Sequence, residues 1–176
     1  MTNFQVALKK GDLGECIITK LLENKGWIVY RPFTKNKAHY FDMLCTLNKE
    51  KVIAIDVKTK ARLNNWNAQG IDINSYNQYL NFVKTTNINF YLIFVDDKIG
   101  YVHMINITKL KNPIYPNNKI IAWDVSQMKH IYTISKNDIK ELTKYNISYT
   151  RVLKEYCFLD DNIEVDSPWL STYNFY

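Results

Sequence analysis

The chain has 176 residues and a mass of 20.8 kDa, which is enough for one domain with a substantial core. Hydrophobic residues make up 47% and charged residues 23%, with only 5 Gly and 4 Pro, so the composition excludes a disordered, collagen-like or Pro-rich linker protein. The longest apolar run, residues 90–95, is about six residues long, and a membrane span needs ~20. No signal-peptide pattern is visible, so we expect a cytoplasmic protein with no membrane partner.

The charge of the chain is positive and unevenly distributed. The formal net charge is +6, and the basic excess lies mostly in residues 1–62, whereas residues 151–176 are acidic. Such a balance favours a polyanion partner, because Lys and Arg side chains that neutralise phosphates release counterions. The three cysteines, Cys16, Cys45 and Cys157, stand among apolar neighbours and are expected to be buried thiols rather than a disulfide framework or a zinc site.

The hydrophobic pattern alternates between helical and strand periods along the chain. Apolar residues at helical spacing predict a helix over about 6–24, ended by Gly26, and a second over about 73–86, with Asp72 or Ser75 available as its cap. Apolar runs predict strands over 27–30, 40–47, 52–58, 89–95 and 101–107, then, after a loop at 111–118, strands over 119–125 and 130–134 and a short helix from 135 toward 145. We predict an α/β or α+β domain with a mixed sheet.

The strand over residues 51–60 carries the most specific signal. Side chains alternate between the faces of a strand, so Asp56 and Lys58 share one face with Val52 and Ala54. A strand that is apolar on both faces is buried, and an Asp beside a Lys at its carboxyl end lies where sheets commonly place active sites. For an isolated Asp-Val-Lys, an ordinary ion pair at the end of a core strand is the simpler interpretation.

Two further acids change that interpretation. Asp42 is the only acid in an apolar strand, and a buried carboxylate is costly unless it is paired, hydrogen-bonded or metal-bound. In the predicted hairpin, Asp42 falls opposite Asp56 or within a residue or two of it, and a divalent cation would relieve the repulsion between them. Glu15 borders the apolar face of the first helix, within reach of the sheet edge, although alone it is more simply a solvent-exposed charge.

Together these residues resemble the PD-(D/E)XK nuclease superfamily, which has the restriction-endonuclease-like fold. The resemblance covers roughly residues 5–108 and rests on Glu15 in the first helix, Asp42 in a strand and Asp56-Val57-Lys58 in the next strand. The opening segment is most similar to the Holliday-junction-resolvase and Mrr-like group, through Gly11-Asp12-Leu13-Gly14-Glu15, Leu21-Leu22 and Gly26-Trp27.

Three positions qualify the resemblance. Phe41 stands where the name-giving Pro would be, and the motif acid at position 56 is Asp rather than Glu. Gln78 resembles the Gln that many members of the superfamily carry on the following helix, where it would position the Lys or the attacking water. The same residue also fits a capping box, Ser75-x-x-Gln78, that simply starts the helix.

The resemblance implies a catalytic metal site. Asp42 and Asp56, with the carbonyl of Val57, would hold Mg²⁺, for which Mn²⁺ may substitute, and Glu15 would bind the metal through water or help to place a second ion. The metal would polarise the scissile phosphate and lower the pKa of a bound water. Lys58 would orient that water or offset charge developing on the phosphate.

Basic residues flank the predicted site on both sides. A phosphate backbone requires such groups, although each one alone is equally an ordinary solvated side chain. The candidate DNA-binding residues are Lys9, Lys10, Arg31, Lys35, Lys37, Lys60 and Arg62.

The sequence therefore predicts a Mg²⁺-dependent DNA endonuclease with DNA as its partner. We expect a homodimer, since cutting two strands often needs two sites. Residues 1–110 would form the nuclease-like core, and residues 111–176 a small β/α extension packed on the same domain. A junction resolvase, a phage or mobile-element nuclease and a homing-type enzyme remain open within this fold. Outside it, the alternatives are a catalytically inactive DNA-binding module and an unrelated α/β protein whose acids are paired structurally.

Overall fold

The computed structural model describes residues 3–32, 39–47, 51–63 and 66–143. Its helices and strands are α1 (Asn3–Glu23), β1 (Ile28–Tyr30), β2 (Met43–Leu47), β3 (Lys51–Thr59), β4 (Ala68–Asp72), α2 (Ile73–Thr86), β5 (Asn89–Val95), β6 (Tyr101–Asn106), β7 (Ile114–Asn117), β8 (Ile120–Asp124), β9 (Lys129–Thr133) and α3 (Lys136–Thr143). The extent of α2 and of β5 agrees with the prediction to the residue.

Six strands form a mixed sheet in the order β1-β2-β3-β5-β6-β9, which confirms the predicted α+β class. The hairpin of β2 with β3 that the sequence predicted is an antiparallel pair, and β5 pairs with β6 in the same way. β3 and β5 run parallel, and the chain between them passes through β4 and α2, as a parallel pair requires a crossover. The carboxyl ends of β3 and β5 therefore lie at the same edge of the sheet.

Each face of the main sheet carries its own hydrophobic core. On one face α1 packs through Leu13, Ile18 and Leu22 against the side of β3 that bears Ile53, Ile55 and Val57. On the other face, a cluster that includes Ala54 of β3 joins α2 to a second, three-stranded sheet of order β4-β8-β7. Because β3 is covered on both sides, its apolar residues occupy both faces, and its charged residues are Lys51 at the start and Asp56 and Lys58 in the second half.

The helix α1 approaches β3 very closely at Gly14. A Cβ at this position would lie within 3.3 Å of three side-chain atoms of Thr59, at the carboxyl end of β3, so only glycine permits the contact. The approach brings Glu15, the next residue, to the end of the strand that carries Asp56 and Lys58.

The prediction missed two strands for physical reasons. β4 reads Ala-Gln-Gly-Ile-Asp, with little β-forming character, and its Gly70 lies so close to Ala122 of β8 that a Cβ would come within 2.9 Å of the Ala122 Cβ. β7 contains Pro116 and falls within the predicted loop at 111–118, but it forms an edge of the smaller sheet, where a residue without an N–H is tolerated.

The described residues after 110 complete both sheets. β7 and β8 extend β4, β9 lies beside β6, and Leu142 of α3 enters the core on the α1 side. Cys16 and Cys45 are buried thiols, as predicted, while Cys157 lies outside the described residues. Within the described part of the chain, no helix is both long enough and apolar enough to cross a membrane.

Candidate active site

A cleft of about 300 Å³ opens between α1 and the carboxyl end of β3. Five residues that the sequence nominated line it: Glu15, Asp42, Val57, Lys58 and Lys60. Asp12, to which the sequence analysis gave no role, lines it as well. The carboxyl ends of the parallel strands β3 and β5 meet at this edge, which is where sheets commonly place a binding site.

Asp42 directly precedes β2 and lies beside β3. The last paired residues of the two strands are Met43 and Ile55, so one further step places Asp42 opposite Asp56, as predicted. The Asp42 N–H donates to the Ile55 carbonyl at 2.9 Å, and its Oδ2 accepts the Val57 N–H at 2.7 Å. Burial raises the pKa of Asp42 to about 7, with further contributions from the charges of Asp56 and Glu15, against the Val57 hydrogen bond.

Asp56 and Lys58 form an ion pair along one face of β3. The Lys58 Nζ lies 2.9 Å from Oδ1 and 2.7 Å from Oδ2 of Asp56, whose residue surface is only 4% exposed. Burial raises the pKa of Asp56, and Lys58 opposes the rise. Burial lowers the pKa of Lys58, but Asp56 more than offsets this and leaves it raised, so Lys58 is protonated at neutral pH.

Glu15 reaches the cleft from α1 and is held there by Arg31. The Arg31 Nη2 donates to Glu15 Oε2 at 2.5 Å, and its Nη1 lies 3.6 Å from the Cys16 Sγ. Burial raises the pKa of Glu15, Arg31 opposes this, and Asp12 and Asp56 add to it. Arg31, nominated as a DNA contact, is therefore a partner of the acid on α1.

The chemistry of these oxygens fits a divalent cation. Burial raises the pKa values of Glu15, Asp42 and Asp56, and repulsion from neighbouring acids adds to the rise at Glu15 and Asp42. The Val57 N–H faces Asp42, and because the N–H and C=O of a strand residue point to the same side, the Val57 carbonyl also faces Asp42. Among the described residues no three His, Cys, Asp or Glu side chains form a cage, so water and substrate would complete the coordination of an ion.

The start of α2 differs from one of the two predicted caps. Asp72 caps the helix, since its Oδ1 accepts the N–H groups of Asn74 and Ser75. The capping box of Ser75 with Gln78 is therefore wrong, because Ser75 is inside the helix. Gln78 is exposed, and its catalytic role stays a prediction. The next residue, Tyr79, is 4% exposed and lies close to Asp56, a neighbour that the sequence did not reveal.

The predicted DNA-binding residues fall into several different environments. Lys60 lines the cleft, and burial together with the charge of Lys58 lowers its pKa to about 8. Lys9 is 3% exposed, which leaves its side chain little access to a phosphate. Lys35 and Lys37 lie outside the described residues.

Two nominated cations pair with acids that follow β5. Lys10 of α1 forms an ion pair with Asp97, and the Arg62 Nε lies 3.1 Å from the Asp96 Oδ2. Both acids are buried, and no local pattern links Asp96 and Asp97 to cations more than 30 residues earlier in the chain. The parallel pairing of β3 with β5 is the signal that could have placed them at the same edge as Lys58.

Comparison with known proteins bears on the fold. The sequence matches no protein-family model and no curated protein. Among solved structures, the chain is similar to the Holliday junction resolvase Hjc of Archaeoglobus fulgidus, with a TM-score of 0.53 and 16% identity over 69% of this chain and 96% of the resolvase. It also aligns with a bacterial homing endonuclease, with a TM-score of 0.39 and 12% identity over 64% of this chain and 71% of the other. The protein has the restriction-endonuclease-like fold that the sequence predicted.

Proposed function

We propose that the protein is a metal-dependent DNA endonuclease that hydrolyses phosphodiester bonds. The observation that carries the proposal is the placement of Asp42 opposite Asp56, with Lys58 on Asp56, at the open end of β3. An unrelated protein with structurally paired acids would pair each carboxylate with a cation. Here Lys58 pairs with Asp56 and Arg31 with Glu15, while Asp42 accepts only the neutral Val57 N–H among the hydrogen bonds of the described residues.

Each group has a distinct part in this chemistry. Asp42, Asp56 and the Val57 carbonyl would hold Mg²⁺ or Mn²⁺, which when bound would polarise the scissile phosphate and lower the pKa of a water. Lys58, fully protonated, offsets negative charge as it develops on the phosphate oxygens. Glu15, restrained by Arg31, would orient water from the α1 side of the cleft.

The charge around the cleft supports a nucleic-acid substrate. Lys60 extends the positive charge of Lys58 along the strand end, where a phosphate backbone would pass the cleft. The net charge of +6 favours association with a polyanion. The fold shared with an archaeal Holliday junction resolvase supports DNA as that polyanion and a branched duplex as the first substrate to try. We further propose a homodimer, since two cuts on opposite strands call for two sites.

The proposal is tested by cleavage of a supercoiled plasmid, a linear duplex and a four-way junction, with Mg²⁺, Mn²⁺ or EDTA. Wild type is compared with Asp56→Asn and Lys58→Ala, each expected to slow cutting by about 10²- to 10³-fold. Matched controls are Glu23→Gln and Lys84→Ala, which change an exposed acid and an exposed lysine on the helices. Light scattering on the same preparations measures the oligomeric state.

The outcomes separate the proposal from its competitors. Metal-dependent cutting that is lost in both site variants and kept in both controls supports the nuclease, and the ranking of the three substrates gives its type. Salt-sensitive DNA binding without cutting on any substrate would indicate a catalytically inactive DNA-binding module of the same fold. Cutting that persists unchanged in Asp56→Asn would contradict the assignment of the site.

A further inference from the structure

The environment of Asp56 on the α2 side of β3 contains a residue that the proposed reaction has not used. The hydroxyl of Tyr79 of α2 lies close to both Asp56 and Lys58, so the acid and the lysine of the motif share this neighbour. A phenol both donates and accepts, whereas a carboxylate only accepts and an ammonium only donates. The Tyr79 hydroxyl is therefore able to donate to Asp56 and to accept from Lys58.

The position of this hydroxyl is fixed by packing. The Tyr79 ring stacks on Phe90, with ring centroids 4.5 Å apart and planes inclined by 17°. Phe90 is paired in register with Ala54, two residues before Asp56 on the same face of β3. The ring of Tyr79 therefore packs between α2 and the strands β3 and β5. Its burial leaves the side chain little freedom to turn away.

The ion pair between Asp56 and Lys58 creates a difficulty for metal binding. The Lys58 ammonium lies within hydrogen-bonding distance of both carboxylate oxygens of Asp56, at 2.9 and 2.7 Å. A cation that takes one of these oxygens must displace the ammonium from it, and a buried ammonium that loses a partner is costly. A second acceptor beside Lys58 removes that cost.

We propose that Tyr79 is a positioning residue that accepts the Lys58 ammonium when a divalent cation takes an oxygen of Asp56, while its own O–H keeps the Asp56 carboxylate oriented. This inference rests on the proposed function and adds to it a residue outside the motif. Hydrogen-bond partners of metal ligands typically change metal affinity or activity by about 10- to 100-fold when they are removed. The role belongs to Tyr79 rather than to its exposed neighbour Gln78.

The test measures Mn²⁺ binding without DNA, by the electron paramagnetic resonance signal of free Mn²⁺. Tyr79→Phe keeps the ring and removes only the hydroxyl, and it is expected to raise the Kd for Mn²⁺ by about 10-fold or more. Tyr76→Phe is the matched control, because it makes the same change one turn earlier on α2, where the ring packs 5.1 Å from Trp123. Its Kd is expected to match that of wild type, and thermal unfolding of all variants without metal reports any loss of packing.

A second variant separates positioning from packing. In a Lys58→Ala background the hydroxyl has no ammonium to accept, so Tyr79→Phe is expected to change the Kd by much less than in wild type. An equal change in both backgrounds, or a Tyr79→Phe protein that binds Mn²⁺ as wild type does, overturns the role of Tyr79. If wild type binds Mn²⁺ and cuts DNA, the proposed function stands whatever result Tyr79→Phe gives. A wild type that neither binds Mn²⁺ nor cuts overturns both.

Discussion

Replacing Asp42 by Asn should stabilise the metal-free protein at alkaline pH. Asn keeps an oxygen that can accept the Val57 N–H, but it removes a buried charge that Asp56 and Glu15 repel. Burial raises the pKa of Asp42 from its ordinary 3.8 to about 7, which corresponds to about 4 kcal/mol between the two protonation states. Because water in the cleft screens these charges, we expect Asp42→Asn to raise the free energy of unfolding by about 2 kcal/mol at pH 8.

The sign of the pH dependence follows from the direction of this pKa shift. An acid with a raised folded-state pKa contributes stability below its unfolded pKa near 3.8, and this contribution is lost as pH rises through about 7. Urea unfolding in EDTA at several pH values between 4 and 8 should therefore show a difference between Asp42→Asn and wild type that grows with pH. A difference that is constant over this range, or a less stable variant at pH 8, would refute the reasoning.

Two other predictions concern the elements that hold the cleft. Gly14→Ala should lower the free energy of unfolding in urea by about 1–3 kcal/mol, because the added Cβ would overlap Thr59. Gly11→Ala on the same helix should be neutral or stabilising, because nothing lies within 4 Å of its added Cβ. An equal effect at both positions would exclude the close approach of α1 to β3. Asp72→Ala should cost about 1 kcal/mol, because it removes the acceptor for two N–H groups of α2, and Asp72→Asn should recover most of that loss. Thermal unfolding of Asp72→Ala and Asp72→Asn, compared with wild type, measures both effects.

The parts of the fold that depend on local patterns were predictable. The hairpin of β2 and β3 follows from two apolar runs and a short turn, and its register brings Asp42 opposite Asp56. The cap of α2 was one of two candidates at the start of an amphipathic run, and the structure selects Asp72. β4 was missed because Gly70, which weakens a strand by itself, is required only by the close contact with Ala122.

The parts of the site that depend on tertiary contacts were not predictable. Arg31 was assigned to DNA because no local pattern links it to Glu15, 16 residues earlier. Gln78 was nominated by its resemblance to the Gln of the superfamily. Helix periodicity shows which face Tyr79 occupies but not how far along β3 its side chain reaches. Only the packing of α2 over Phe90 places the Tyr79 hydroxyl at Asp56.

The pairing of the acids also predicts that they respond differently to neutralisation. Lys58 balances the charge of Asp56, so Asp56→Asn leaves a buried ammonium without its counter-charge and should cost about 3–5 kcal/mol, whereas Asp42→Asn should stabilise. Both variants should nevertheless lose Mn²⁺ affinity, since both remove a carboxylate that faces the proposed ion. Urea unfolding at pH 8 without metal, together with Mn²⁺ titration, measures the two effects separately. If Asp56→Asn were as stabilising as Asp42→Asn, the Lys58 ion pair would not be balancing the charge of Asp56, and the acids would be equivalent.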